Sequence, residues 1–195
     1  MTKRLWTLLA ALIATGAFLS ACLAADLGPK EAGKADLKSA GPIAFGPPGV
    51  LFVADPQGAA IFAIGVDSPA KADVKEVAVE GIDAKVAAAL GTKAGDITIN
   101  DLAVQPGTGN VYLSVSRGKG PDAQAVIVRT GADGKISTLP LEKVNYSKLG
   151  LANVPSADQK DRRGNSLRTE SITDLAFFEG KLFIAGLSNE EFASK

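Results

Sequence analysis

The chain has 195 residues, 46% of them hydrophobic, and its 21 Lys plus Arg balance 21 Asp plus Glu. That is enough apolar material for a substantial core, and it excludes a disordered chain, a coiled coil or a basic surface built for nucleic acid. There is no His, which removes His-dependent triads and His-ligated metals, and 6% aromatic content leaves little for a base- or sugar-stacking platform.

In chain order, the first element is an export signal, read over residues 1–24. Lys3 and Arg4 make a positive start, residues 5–19 are an apolar run too short for a comfortable membrane span, and small residues follow. The mature chain is therefore expected in the periplasm or outside the cell. Two processing routes fit the same residues. Leu19, Ser20, Ala21 and Cys22 match a bacterial lipobox, which would lipidate Cys22 and make that anchor the chain's one membrane contact. Cys22, Leu23 and Ala24 before Ala25 equally suit ordinary cleavage, which would discard the cysteine. Cys22 is the single cysteine, so disulfides do not hold the mature domain in its oxidising compartment. Losing Lys3 and Arg4 leaves 21 minus 2, or 19, basic residues against 21 acidic ones, a net charge near −2.

Residues 25–41 (ADLGPKEAGKADLKSAG) are polar and read as a linker or as an edge strand awaiting a partner. Beyond them one pattern occurs three times: IAFGPPGVLFVAD at 43–55, LAVQPGTGNVYLSVS at 102–116 and LAFFEGKLFIAGL at 175–187. Each copy is an apolar triplet, a turn containing Gly, and a second apolar run, which is a β-hairpin. A unit that cannot bury its own face must stack on copies of itself. The first two copies continue into two further strands each, at 60–64 and 74–79, and at 125–129 and 135–139. Four antiparallel strands with short turns form the blade of a β-propeller, and about 40 to 45 residues per blade is the usual length. The expected fold over residues 42–195 is thus all-β, with about two and a half propeller-like blades in an incomplete ring. The third copy ends early, so open strand edges are expected to invite self-association, and the chain reads as a fragment of a longer parent.

Two insertions interrupt the pattern. Residues 82–91 (IDAKVAAALG) predict one short helix with Asp83 as its N-cap and Gly91 at its end. Ile82, Val86 and Leu90 form its apolar stripe. Residues 142–170 are the longest stretch without strand periodicity and predict a long irregular loop. Arg162 and Arg163 in that loop, with Arg117 in the turn SRGKGPD, are candidates to bind an anionic ligand, against the alternative of an ordinary solvated loop.

Asp101 and Asp174 stand at the same place in their copies, two residues after Ile99 and Ile172, where innermost strands begin. With Asn100 and Glu170 they are candidate hard-oxygen ligands for Ca²⁺. The alternative is structural, since an Asp at a strand start commonly accepts backbone N–H groups. The first copy has Gly41 and Pro42 there.

The segments GPIAFGPPGVLFVAD, INDLAVQPGTGNVYLSVSRG and ESITDLAFFEGKLFIAGLSNEEF resemble exported bacterial proteins of the YVTN/NHL-like propeller type, over nearly all of the mature chain. The resemblance implies a propeller fold and a full-length relative longer than this chain. Such propellers include lactonases, ligand-binding modules and interaction scaffolds, so it implies no single activity and carries over no catalytic residue. Two functions remain open: a binding or scaffold module for a protein or small molecule, and a Ca²⁺-dependent hydrolase of the lactonase or gluconolactonase kind. The absence of His and the sparse acid-base constellations favour binding.

Overall fold

A computed structural model describes residues 28–67, 79–131 and 133–188. The export leader with Cys22, and residues 74–78 of the expected strand at 74–79, lie outside the described residues. The rest is mostly antiparallel β-structure with one α-helix.

The three repeated patterns are three hairpins. The strands β1 (Glu31–Gly33), β2 (Ile43–Phe45), β3 (Val50–Asp55) and β4 (Ala60–Gly65) belong to the first sheet. The helix α1 (Ile82–Ala89) follows. The second sheet consists of β5 (Ile97–Val104), β6 (Val111–Arg117), β7 (Gln124–Thr130) and β8 (Ile136–Thr138). The chain then returns to the first sheet as β9 (Val144–Gly150) and ends in a third, two-stranded sheet of β10 (Asp174–Phe178) and β11 (Lys181–Ala185). Among the described residues the three sheets are separate and do not close on one another.

Turn chemistry explains the hairpins. Between β2 and β3, Val50 N–H donates to Pro47 O at 2.9 Å, with Pro48 fixing the first central position and Gly49 at φ 78° supplying the second, a type II turn. Between β10 and β11 only Glu179 and Gly180 intervene, at φ 48° and 75°. Two successive positive φ values define the type I′ turn that matches strand twist.

The first sheet has the order β1-β9-β4-β3-β2. The place beside β4 is therefore taken by β9, drawn from the stretch 142–170 expected to be irregular. Val144, Tyr146 and Lys148 form its inward row, and the row ends in a lysine whose Nζ sits 5.3 Å from the centre of the Phe62 ring. A cation over an aromatic face substitutes there for an apolar residue, which hides the alternation. β1 pairs with β9 as the outermost strand of this sheet.

The helix is bounded differently at its start than expected. Gly81, at φ 60°, is the N-cap, and Asp83 lies within the first turn, where its charge favours the helix N-terminus. At the other end Thr92 N–H reaches Ala87 O and Gly91 N–H reaches Ala88 O, the paired bonds of a Schellman motif around Gly91 at φ 67°. Val86 and Leu90 pack on Ile97, Leu113, Val115 and Val128 of the second sheet.

β3 and β4 are buried along nearly their whole length on both faces. One face, with Leu51, Val53 and Phe62, meets Tyr112 and Ile127 of the second sheet. The other, with Phe52, Ala54 and Ile61, meets Leu175 and Phe177 of the third. Each large side chain buried in this way stabilises the fold by about 1.5 to 3 kcal/mol. The first sheet is thus the middle layer, and β2 runs between β5 and β10.

Candidate functional site

The residues singled out around Asp101 form a joint between sheets. Register shifts at Asn100, so β5 carries a bulge there. Without that extra residue Asp101 would share the face of Ile99, toward the helix; the bulge turns it to the opposite face, toward the first sheet. Asp101 Oδ2 then accepts the Ile43 N–H of β2 at 2.8 Å, and Oδ1 accepts the N–H of its own neighbour Leu102 at 2.7 Å. Asn100 Nδ2 donates to Ala40 O at 2.7 Å and to Ser116 Oγ at 2.9 Å. Both polar side chains therefore tie backbone to backbone across two sheets.

Asp174 repeats half of this arrangement. Its Oδ1 accepts Leu175 N–H at 2.8 Å, as Asp101 does with Leu102, while among the described residues no donor meets Oδ2. β5 and β10 flank β2 on opposite sides, so Asp101 and Asp174 are separated by the first sheet, whose matching residue is Pro42. Glu170 is exposed in a 3₁₀ turn (Leu167–Ser171), its carbonyl accepting Leu187 N–H at 2.7 Å. Among the described residues no three His, Cys, Asp or Glu side chains are grouped to hold a metal ion.

The basic candidates are also apart. Arg117 is exposed at the end of β6, while Arg162 and Arg163 are exposed in a loop that docks on the first sheet. Arg168 spends its guanidinium on that docking, donating from Nη1 to Pro155 O at 2.8 Å and from Nε to Gln57 O at 3.3 Å. Ser171 Oγ reaches Pro56 O nearby, at 3.3 Å. The loop's own turn is held by Asp161, whose Oδ1 accepts the N–H groups of Arg163 and Asn165, each at 2.8 Å. The Asn165 backbone bond first, then its side-chain amide, hold the Asp161 carboxyl below its usual range.

Two features escaped the sequence reading. Asp55 is fully buried, and its carboxylate accepts the N–H groups of Lys38 (2.8 Å), Ser39 (2.8 Å) and Gly58 (2.9 Å) and the Ser39 hydroxyl (2.8 Å). It fastens the segment before β2 to the β3–β4 turn, and a side chain at Gly58 would collide with it. The pattern gave no sign of this, because the donors lie 16 and 17 residues away in a polar stretch.

The second is a cleft between the first and second sheets. A cavity of about 600 Å³ lined by Val66, Asp67, Leu139, Pro140 and Lys143 adjoins one of about 200 Å³ that shares Asp67, Leu139 and Pro140 and reaches Tyr112 and Arg129. Burial raises the Tyr112 hydroxyl's pKa, against the hydrogen bond and charge of Arg129 beside it. A phenol kept protonated and a guanidinium can present donors to a carboxylate or carbonyl, while Val66, Leu139 and Pro140 offer apolar contact.

No family model, no curated protein and no solved structure matches the chain.

Proposed function

We propose that this chain is an exported binding module of the cell envelope, built as a propeller-like stack of sheets, and that its inter-sheet cleft takes a small acidic ligand with an apolar body. The observation that carries the proposal is the Tyr112 and Arg129 pair in the cleft, with Lys143 among the lining residues. Export rests on Lys3, Arg4 and the apolar run behind them, and the propeller-like reading on three repeated hairpins whose first strands lie side by side. The competing hydrolase needs several oxygens converging on Ca²⁺, and Asp101 instead grips backbone while Asp174 stands across the first sheet from it.

The test is thermal unfolding of the chain with a panel of small aliphatic and aromatic mono- and dicarboxylates at millimolar concentration. A ligand that binds the folded state alone raises stability by about 2.7 kcal/mol at a hundredfold excess over Kd, and each kcal/mol moves Tm by about 2–4 °C at this size. At least one member is expected to shift Tm by several degrees, with the shift lost in Arg129→Ala. A panel without effect, or a shift unchanged in Arg129→Ala, contradicts the assignment.

A further inference from the structure

The two faces of the first sheet are covered to different extents. On one, Ile127 of β7 is fully buried in a cluster with Phe62 and Ile64 of β4 and Val144 of β9, so the layer above reaches across the sheet. On the other, the third sheet meets β2 through β10, and Leu182 of β11 packs toward Phe52 and Ile61. Beside Leu182 lies a groove of about 380 Å³, with Phe52, Ile61, Ala63, Ser147 and Leu149 among its lining. Its floor is made by the cross-strand pairs Ile61 with Leu149 and Ala63 with Ser147. Leu149 is 60% exposed, and Ile184, in the inward row of β11 with Leu182, is 39% exposed.

One wall of this groove is an open strand edge. The tight turn between Phe178 and Lys181 sets the ladder so that Lys181, Phe183 and Ala185 turn their backbone groups toward β10, and Leu182 and Ile184 turn theirs away from it. Among the described residues β11 pairs with β10 alone. The first hairpin shows what such an edge takes. Val53 and Leu51 of β3 face Ile43 and Phe45, as Ile184 and Leu182 face Leu175 and Phe177, and on their other side they pair with Phe62 and Ile64 of β4. Those two side chains pack in turn on Ile127 of the neighbouring sheet. A strand of the same kind, added to β11 in the same register, would set its Phe and Ile over Ile61, Ala63 and Leu149.

We infer that the groove receives an extended segment of another polypeptide, with large apolar side chains at alternate positions, which adds to β11 as a third strand. Backbone bonds to Leu182 and Ile184 hold the segment, and the groove selects its inward side chains, the division of labour in β-strand addition. A folded second copy offering its own β11 does not fit. Two antiparallel copies of one edge strand are related by a twofold axis normal to the sheet, so the partner's first sheet would lie on the same side and run into β4 and β9. The groove and the cleft with Tyr112 and Arg129 lie on opposite faces of the first sheet, and the two assignments therefore fail independently.

The test uses a fluorescent synthetic peptide with the sequence of residues 58–67 (GAAIFAIGVD), which contains β4, and lysines added at one end for solubility. Fluorescence anisotropy with the purified chain is expected to show saturable binding, weakened about tenfold or more when the peptide carries Phe62→Asp. Binding of the unaltered peptide is expected to be lost in two variants of the chain. Leu149→Glu puts a charge on the groove floor, and Ile184→Pro removes an edge N–H at a kind of position where Pro is tolerated. Unchanged circular dichroism and Tm check that each variant folds. Absence of binding by the wild type overturns the inference. So does binding that survives either variant, which places the peptide elsewhere, or binding indifferent to Phe62→Asp. Self-association of the chain that Leu149→Glu abolishes would put a folded copy in the groove and overturn it too.

Discussion

The first sheet and the third begin from the same hairpin and end in opposite surroundings. In the first, Phe52 and Phe62 point to opposite faces and both are buried, because a sheet lies on each side. In the third, Leu175 is buried against the first sheet, while Phe178 and Phe183 on the other side stand in water. The same strand sequence pattern therefore yields a core layer or an open surface according to what stacks on it.

Truncation breaks this comparison most sharply. Phe62→Ala should cost about 3–5 kcal/mol, the usual range for emptying an aromatic site in a packed core, whereas Phe183→Ala should stay within about 0.5 kcal/mol as a surface change. Urea unfolding of the two variants at a concentration favouring single chains measures both. Equal costs would mean that the third hairpin is packed as fully as the first.

A smaller effect separates the stack from the loop that caps it. The depressed Asp161 carboxyl contributes stability that is present above its unfolded pKa of about 3.9 and is lost as pH falls through its lower folded value. Since its ligands are the amides of residues 163 and 165, the change is local to that turn. Protection of these amides against exchange, relative to free amides at the same pH, should fall in acid ahead of protection in β3 and β4, and Asp161→Asn should lower it at neutral pH.

Legibility followed the distance over which the physics acts. The three hairpins showed in the sequence because alternation and turn residues are local, and GPPG and EG each specify a turn whose geometry the structure reproduces. The helix stripe of Ile82, Val86 and Leu90 was equally local. Strand β9 was hidden because its inward row ends in Lys148, and its partner β4 is separated from it by the whole second sheet. The two alternatives for Asp101 could not be separated without knowing that Asn100 bulges and rotates the carboxylate toward Ile43. The cleft was invisible for a similar reason, since Asp67, Tyr112 and Arg129 meet only after two sheets have stacked.

The central claim is that the carboxylate two residues after Ile99 or Ile172 is a tie between sheets, in use at Asp101 at the bulge within β5 and idle at Asp174 at the start of β10. It is tested most directly by urea unfolding of Asp101→Ala and Asp174→Ala under dilute conditions. Removing Asp101 leaves the Ile43 N–H without its acceptor and should cost about 1–3 kcal/mol, while Asp174→Ala should change stability by no more than about 0.5 kcal/mol. Equal losses in the two variants, or no loss in Asp101→Ala, would contradict the account.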